Sequence, residues 1–91
     1  MSERACVIVK IVNRLGLHAR PAMSFVDAAM AHPCAITVKR GDQLVDGKSI
    51  MSMMLLAATQ GTELEIIAEG EGAERAVADL KRLVDSGFGD E

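Results

Sequence analysis

The residues best suited to chemistry lie together in the hexapeptide Gly16-Leu17-His18-Ala19-Arg20-Pro21. A neutral imidazole can act as a nucleophile, and a guanidinium can bind the oxygens of a phosphoryl group. The hexapeptide follows a strand-like apolar run from Cys6 to Val12 and precedes a helical pattern that begins at Ala22. Because helix N-termini favour anions, phosphate above all, the pattern predicts that His18 accepts a phosphoryl group while Arg20 steadies its charge.

Length and composition argue against several other kinds of function. A chain of 91 residues has one modest core and little room for a deep cleft, so we expect a surface site that meets other proteins, not an enzyme with a cofactor. The net charge of −3 and the two aromatic residues argue against a nucleic-acid partner. Cys6 and Cys34 lack metal-ligand spacing, so we expect free thiols packed in strands and no metal.

The chain is expected to form a single domain over residues 1–91, with residues 86–91 as a flexible tail. The N-terminus has no signal-peptide pattern, and no segment reaches the ~18 consecutive apolar residues that a membrane span requires. We therefore expect a cytoplasmic, monomeric protein with no membrane partner.

Hydrophobic periodicity predicts four short strands and three helices. The strands are predicted at Cys6–Val12, Ala35–Arg40, Gln43–Val45 and Thr62–Glu69, and the helices from Ala22 to about His32, from Ser49 to about Gln60, and from Ala73 to about Val84. Short, half-polar strands in the order β-α-β-β-α-β-α favour an antiparallel sheet. The predicted fold is α+β, a two-layer open-faced sandwich whose four-stranded sheet is covered on one face by three helices.

The second predicted helix is apolar almost all round, which a small domain cannot bury on every side. The stripe expected to face the core consists of Met53, Leu56 and Ala57. The other large apolar side chains are expected to be at least partly exposed, and these are Ile50, Met51, Met54 and Leu55. An exposed apolar surface rich in methionine is typical of a site that adapts to several partners.

These residues resemble those of HPr, the histidine-containing phosphocarrier family of the bacterial phosphotransferase system. The hexapeptide around His18 resembles the family's phosphorylation motif. Gly47-Lys48-Ser49-Ile50-Met51 resembles its regulatory serine segment, and Gln60-Gly61-Thr62 and Ala68-Glu69-Gly70 lie at the expected distances. The resemblance spans roughly the whole chain.

The resemblance implies a phosphoryl-transfer cycle. His18 would take a phosphoryl group on its δ nitrogen from enzyme I, which phosphoenolpyruvate charges, and pass it to an EIIA domain, with Arg20 as the matching arginine. Ser49 matches the serine that a dedicated HPr kinase/phosphorylase modifies. The family's docking surface maps here to Ala19, Arg20, Met23, Ile50, Met51, Met54 and Leu55, with Lys48 at its rim.

Other interpretations stay open at this point. Positions 54 and 55 are more apolar than in familiar members of sugar systems, so a regulatory phosphoprotein without sugar transport is an alternative. An RNA-binding module shares the element order but would need aromatic signatures that are absent. A plain helix-cap role would also explain Ser49, and both roles can hold together, while His32 is interpreted as a structural or solvated histidine. Three further basic residues are interpreted as ordinary surface charges, namely Lys10, Lys39 and Arg40.

Overall fold

A single antiparallel sheet underlies the computed structural model, which describes residues 3–89. Its strands are β1 (Arg4–Lys10), β2 (Ala35–Arg40), β3 (Gln43–Asp46) and β4 (Glu63–Glu69). The order across the sheet is β1-β4-β2-β3, so β4, formed late in the chain, pairs with both β1 and β2. The register aligns Val9 with Leu64 and Val38 with Ile66, which places apolar side chains of neighbouring strands on the same face.

Helices cover one face of this sheet. They are α1 (Ala19–Met30), α2 (Ile50–Leu55) and α3 (Ala73–Asp85). Each turns an apolar stripe inward, and the buried side chains of strands and helices form one continuous core. Across residues 3–89 the predicted fold class and the predicted element order are therefore confirmed.

The ends of several elements differ from the predicted ones. β1 begins at Arg4 and not at Cys6, and α1 begins at Ala19, three residues before the predicted start. Pro21 fits inside the first turn of α1, because a helix needs no backbone N–H there. The hydrophobic pattern alone could not show this, since Ala19 and Arg20 are exposed.

α2 ends at Leu55, well before the predicted end near Gln60. Ala57 adopts a left-handed backbone conformation with φ +49°, which no helix can continue, so Gly61 is not the residue that stops it. Met53 and Leu56 lie in the core as predicted. The prediction for Ala57 was wrong: its side chain is exposed, and Ala58 is buried in its place.

The end of the chain also differs from the predicted flexible tail. Gly87–Gly89 form a 3-10 turn, and Phe88 is only 8% exposed and belongs to the core. Burying one aromatic side chain is worth enough to fold the segment back onto the domain. Asp90 and Glu91, the rest of the predicted tail, lie outside the described residues.

The two cysteines have different surroundings. Cys34, just before β2, is buried, whereas Cys6 in β1 is exposed. Both are free thiols. The expectation that both are packed in strands therefore holds only in part: Cys34 is packed but lies outside β2, and Cys6 lies in β1 but is exposed on the sheet face that no helix covers. The guanidinium of Arg4 donates a hydrogen bond to its Sγ atom at 3.2 Å.

Candidate phosphoacceptor site

His18 is the N-cap residue of α1. Its backbone is extended, with φ −82° and ψ −171°, and its carbonyl oxygen accepts the first intrahelical hydrogen bond, from the amide of Ala22 at 3.0 Å. The half-buried imidazole therefore lies at the positive end of the dipole of a twelve-residue helix. The first turn of α1 contains no acidic residue, so no carboxylate there would repel an arriving phosphoryl group.

The loop before His18 is pressed against the segment that follows α2. The amide of Leu17 donates to the carbonyl oxygen of Ala58 at 2.8 Å, and the Leu17 side chain is buried. Gly16 has φ +71°, and a Cβ atom there would lie 2.5 Å from the same Ala58 oxygen. Only glycine combines this backbone conformation with so close an approach. The position of His18 is thus set by a contact between two distant parts of the chain.

Asn13 fixes the other end of this loop. It is 2% exposed, its side-chain amide donates a hydrogen bond to the carbonyl oxygen of Gly16, and its own carbonyl oxygen accepts from the Gly16 amide at 3.1 Å. Sequence reasoning missed Asn13 as a site residue. The available signal was an asparagine three residues before a glycine, since asparagine side chains commonly close turns on nearby backbone groups.

The remaining predicted residues of the first turn are brought to the same end of α1. Ala19, Arg20 and Met23 are all exposed. Arg20 is the second residue of the helix and lies two positions after His18. His18 and Arg20 therefore belong to the same end of α1, at its N-terminus.

A second exposed apolar surface lies on α2. We call it the α2 patch and define it as Ile50, Met51, Met54 and Leu55, with exposed fractions of 42%, 80%, 42% and 69%. Its predicted exposure is confirmed. α2 packs against α1, so the patch and the His18 turn belong to adjoining helices.

Ser49 is the N-cap residue of α2, as one of the two predictions for it required. Its side-chain oxygen accepts a hydrogen bond from the amide of Ser52 at 3.2 Å. The neighbouring Lys48 is half-buried, and its ammonium group donates to the carbonyl oxygen of His32 at 2.7 Å. Lys48 therefore ties α2 to the far end of α1 instead of extending into solvent beside the α2 patch.

His32 has a structural role. It lies just past the C-terminus of α1, at the other end of this helix from His18, and is only 9% exposed. Its Nε2 atom lies 3.0 Å from a carboxylate oxygen of Asp79 in α3. Of the two predictions for His32, structural or solvated, the structure supports the structural one.

Nothing between residues 3 and 89 forms a metal-binding cluster of three or more histidine, cysteine, aspartate or glutamate residues. No helix in this range is long and apolar enough to cross a membrane.

The geometry matches a known family of carriers. Residues 7–86 match the family model described as the PTS HPr component phosphorylation site. The chain is 46% identical over 81 residues to the phosphocarrier protein HPr of Pseudomonas aeruginosa, covering 88% of this chain and 90% of that one. It superimposes on a crystal structure of HPr-C-His from Thermoanaerobacter tengcongensis with a TM-score of 0.91 and 40% identity, covering 96% and 98% of the two chains.

A second crystal structure from Thermoanaerobacter tengcongensis, described as an HPr dimer, matches with a TM-score of 0.77 at 40% identity, covering 92% of this chain and 97% of that one. The fold and the site together define a histidine phosphocarrier of the phosphotransferase system. The chain belongs to the HPr family.

Proposed function

We propose that this chain is a cytoplasmic phosphocarrier that accepts a phosphoryl group on His18 from phosphorylated enzyme I and passes it to EIIA-type acceptors. The observation that carries the proposal is the placement of His18 at the N-cap of α1, in a first turn without acidic residues, on a helix that packs against the one that carries the exposed α2 patch. The chain acts as a protein substrate that cycles between two forms, not as an enzyme.

The transfer itself follows from the local electrostatics. A lone pair on the His18 ring attacks phosphorus, a nitrogen–phosphorus bond forms, and the bond from phosphorus to the donor breaks. The phosphoryl oxygens carry negative charge throughout, which the N-terminus of α1 and the Arg20 guanidinium stabilise. The reverse attack by an acceptor returns His18 to its starting form, so the carrier is not consumed.

The α2 patch is proposed as the docking surface for both partners. Donor and acceptor must each approach the same imidazole, so each must cover the surface next to it. Ala19, Arg20 and Met23 extend this surface onto the first turn of α1. A flexible methionine side chain can adapt to two different partner surfaces. We propose that the carrier acts as a monomer, which leaves the α2 patch available to both partners, and light scattering would measure its mass.

Ser49 is proposed as a regulatory phosphorylation site as well as a helix cap. Phosphorylation would add about −1.5 to −2 charges beside Ile50 and Met51, where an apolar partner surface would have to desolvate them. We expect Ser49→Asp to slow transfer from enzyme I while its amide chemical shifts change only near residues 46–54. Normal transfer in both Ser49→Asp and the phosphorylated protein would leave Ser49 as a helix cap only.

The decisive experiment is incubation with phosphoenolpyruvate and enzyme I. Wild-type protein should acquire one acid-labile, base-stable phosphate, and His18→Ala should acquire none while remaining folded, because the imidazole does not form part of the core. His32→Ala is the control, since the other histidine is structural and its loss should leave the modification in place. Acid-labile phosphate retained by His18→Ala would contradict the assignment. Acid-stable phosphoserine alone would favour the regulatory alternative.

A further inference from the structure

Arg40 does not behave as the ordinary surface charge that the sequence suggests. It is half-buried at the end of β2, and its Nη1 atom donates to the carbonyl oxygens of Leu56 at 2.6 Å and Ala57 at 3.1 Å. Its cross-strand partner Gln43 donates from its side-chain amide to the carbonyl oxygen of Leu55 at 3.3 Å. Three consecutive carbonyls at the end of α2 therefore accept hydrogen bonds from two side chains of the hairpin formed by β2 and β3.

These carbonyls are the groups that a helix end leaves without intrahelical donors. In many helices a glycine just past the C-terminus turns the backbone so that nearby amides satisfy them. Here Ala57, with φ +49°, makes the turn, although a left-handed conformation is unfavourable for alanine. The hydrogen bonds from Arg40 to both sides of this turn offset that cost, because a charged donor binds a carbonyl more strongly than a neutral one.

The next carbonyl along the chain, that of Ala58, accepts the hydrogen bond from Leu17, the residue before His18. The segment 55–58 thus lies between the hairpin on one side and the phosphoacceptor loop on the other. Its first residue, Leu55, belongs to the α2 patch. A change at Arg40 would therefore move the docking surface and the His18 loop together.

We propose that Arg40 is a positioning residue for phosphoryl transfer: it fixes segment 55–58 and, through the Ala58–Leu17 hydrogen bond, the placement of His18 relative to the α2 patch. This inference rests on the proposed role of His18. A partner docked on the patch presents phosphorus at a fixed point, so a shift of the imidazole lowers the rate of transfer more than it weakens docking.

The test compares Arg40→Met with Lys39→Met. Both remove one positive charge from adjacent residues of β2, but strand side chains alternate, so Lys39 lies on the uncovered face of the sheet and does not reach segment 55–58. We expect Arg40→Met to raise amide hydrogen exchange at Leu17 about tenfold and to lower kcat for transfer from phosphorylated enzyme I about tenfold, with a smaller change in KM. Arg40→Lys, which keeps a charged donor, should retain most of the protection from exchange at Leu17 and most of the wild-type kcat. Lys39→Met should match wild type in both measurements.

The outcomes separate the possible roles of Arg40. Unchanged exchange at Leu17, or faster exchange with unchanged transfer, would overturn the inference. If Arg40→Met and Lys39→Met both raised KM and left kcat unchanged, the effect would be one of general charge on docking, and the inference would be wrong. If Arg40→Met does not fold, Arg40→Lys and Arg40→Gln retain donors of different reach and carry the same comparison. Absence of acid-labile phosphate from wild-type protein would overturn the proposed function itself, whereas normal wild-type transfer with an insensitive Arg40 overturns only this inference.

Discussion

Gly16 and Ala58 are in direct backbone contact although 42 positions separate them along the chain: a Cβ atom on Gly16 would lie 2.5 Å from the Ala58 carbonyl oxygen. That oxygen also accepts the amide proton of Leu17. The loop that carries His18 therefore has no room for a side chain at the point where it crosses the segment that follows α2.

Gly16→Ala should therefore be strongly destabilising. The substitution places Cβ against backbone atoms, which cannot rotate away, at a residue with φ +71°. Gly41→Ala is the matched control, because Gly41 also has a positive φ, +57°, but nothing lies within 4 Å of its added Cβ. We expect Gly41→Ala to lower the free energy of unfolding by about 1 kcal/mol and Gly16→Ala by about 3 kcal/mol or more, measured by urea denaturation. Equal losses would show that conformation, and not the contact with Ala58, determines the effect.

The pair formed by His32 and Asp79 gives a second prediction about stability. Asp79→Asn exchanges a carboxylate for a neutral amide beside a histidine that is only 9% exposed. The Asp79 side chain is itself 40% exposed, so weakening this hydrogen bond should lower the free energy of unfolding by about 1–1.5 kcal/mol. Asp85→Asn is the control, since Asp85 pairs with Lys81 on the exposed surface of α3 and such pairs are worth about 0–1 kcal/mol. If the two substitutions lowered the free energy of unfolding equally, the pair formed by His32 and Asp79 would contribute no more to stability than an exposed pair. Phosphorylation of His18 should be normal in both variants.

The sequence predicts the order of strands and helices because that order depends on local periodicity. The strict alternation from Thr62 to Glu69 is long enough to identify a strand. The helical spacing from Ala73 to Val84 covers enough turns to identify a helix. The N-cap role of Ser49 is also local, since the hydroxyl bonds to an amide three residues on. The exposure of the α2 patch could also be predicted, because a small domain cannot bury a helix that is apolar on all sides.

The features that the sequence does not predict depend on contacts between distant residues. The end of α2 is fixed by donors from Arg40 and Gln43, in a hairpin that precedes it, and no local signal at Ala57 indicates a left-handed turn. The burial of Phe88 likewise depends on space left in the core by other elements, so a glycine-rich terminus was interpreted as a tail. Asn13 is significant only because Gly16 returns to it.

Arg20→Ala should impair transfer without affecting the fold. The side chain is exposed on the first turn of α1 and is not part of the core, so the free energy of unfolding should change by no more than about 0.5 kcal/mol. Loss of a preorganised donor to phosphoryl oxygens should slow transfer to and from His18 by about tenfold to a hundredfold. Rapid-quench measurement of phosphoryl transfer from enzyme I tests this. Arg75→Ala, which removes an exposed arginine from α3, is the control for net charge, and equal rates in the two variants would rule out a specific role for Arg20.

Met51→Glu tests the α2 patch, and Met30→Glu is its matched control. Both methionines are exposed, at 80% and 63%, and both substitutions introduce the same charge, but Met30 lies at the C-terminal end of α1, away from His18. A carboxylate within an apolar interface must be desolvated without a partner, so Met51→Glu should weaken binding to enzyme I and to the EIIA acceptor by about tenfold or more. Isothermal titration calorimetry with each protein measures both affinities. Met30→Glu should bind both as wild type does. If Met51→Glu lost affinity for only one of the two proteins, donor and acceptor would use different surfaces. If Met30→Glu lost as much affinity as Met51→Glu, net charge, and not the α2 patch, would govern docking.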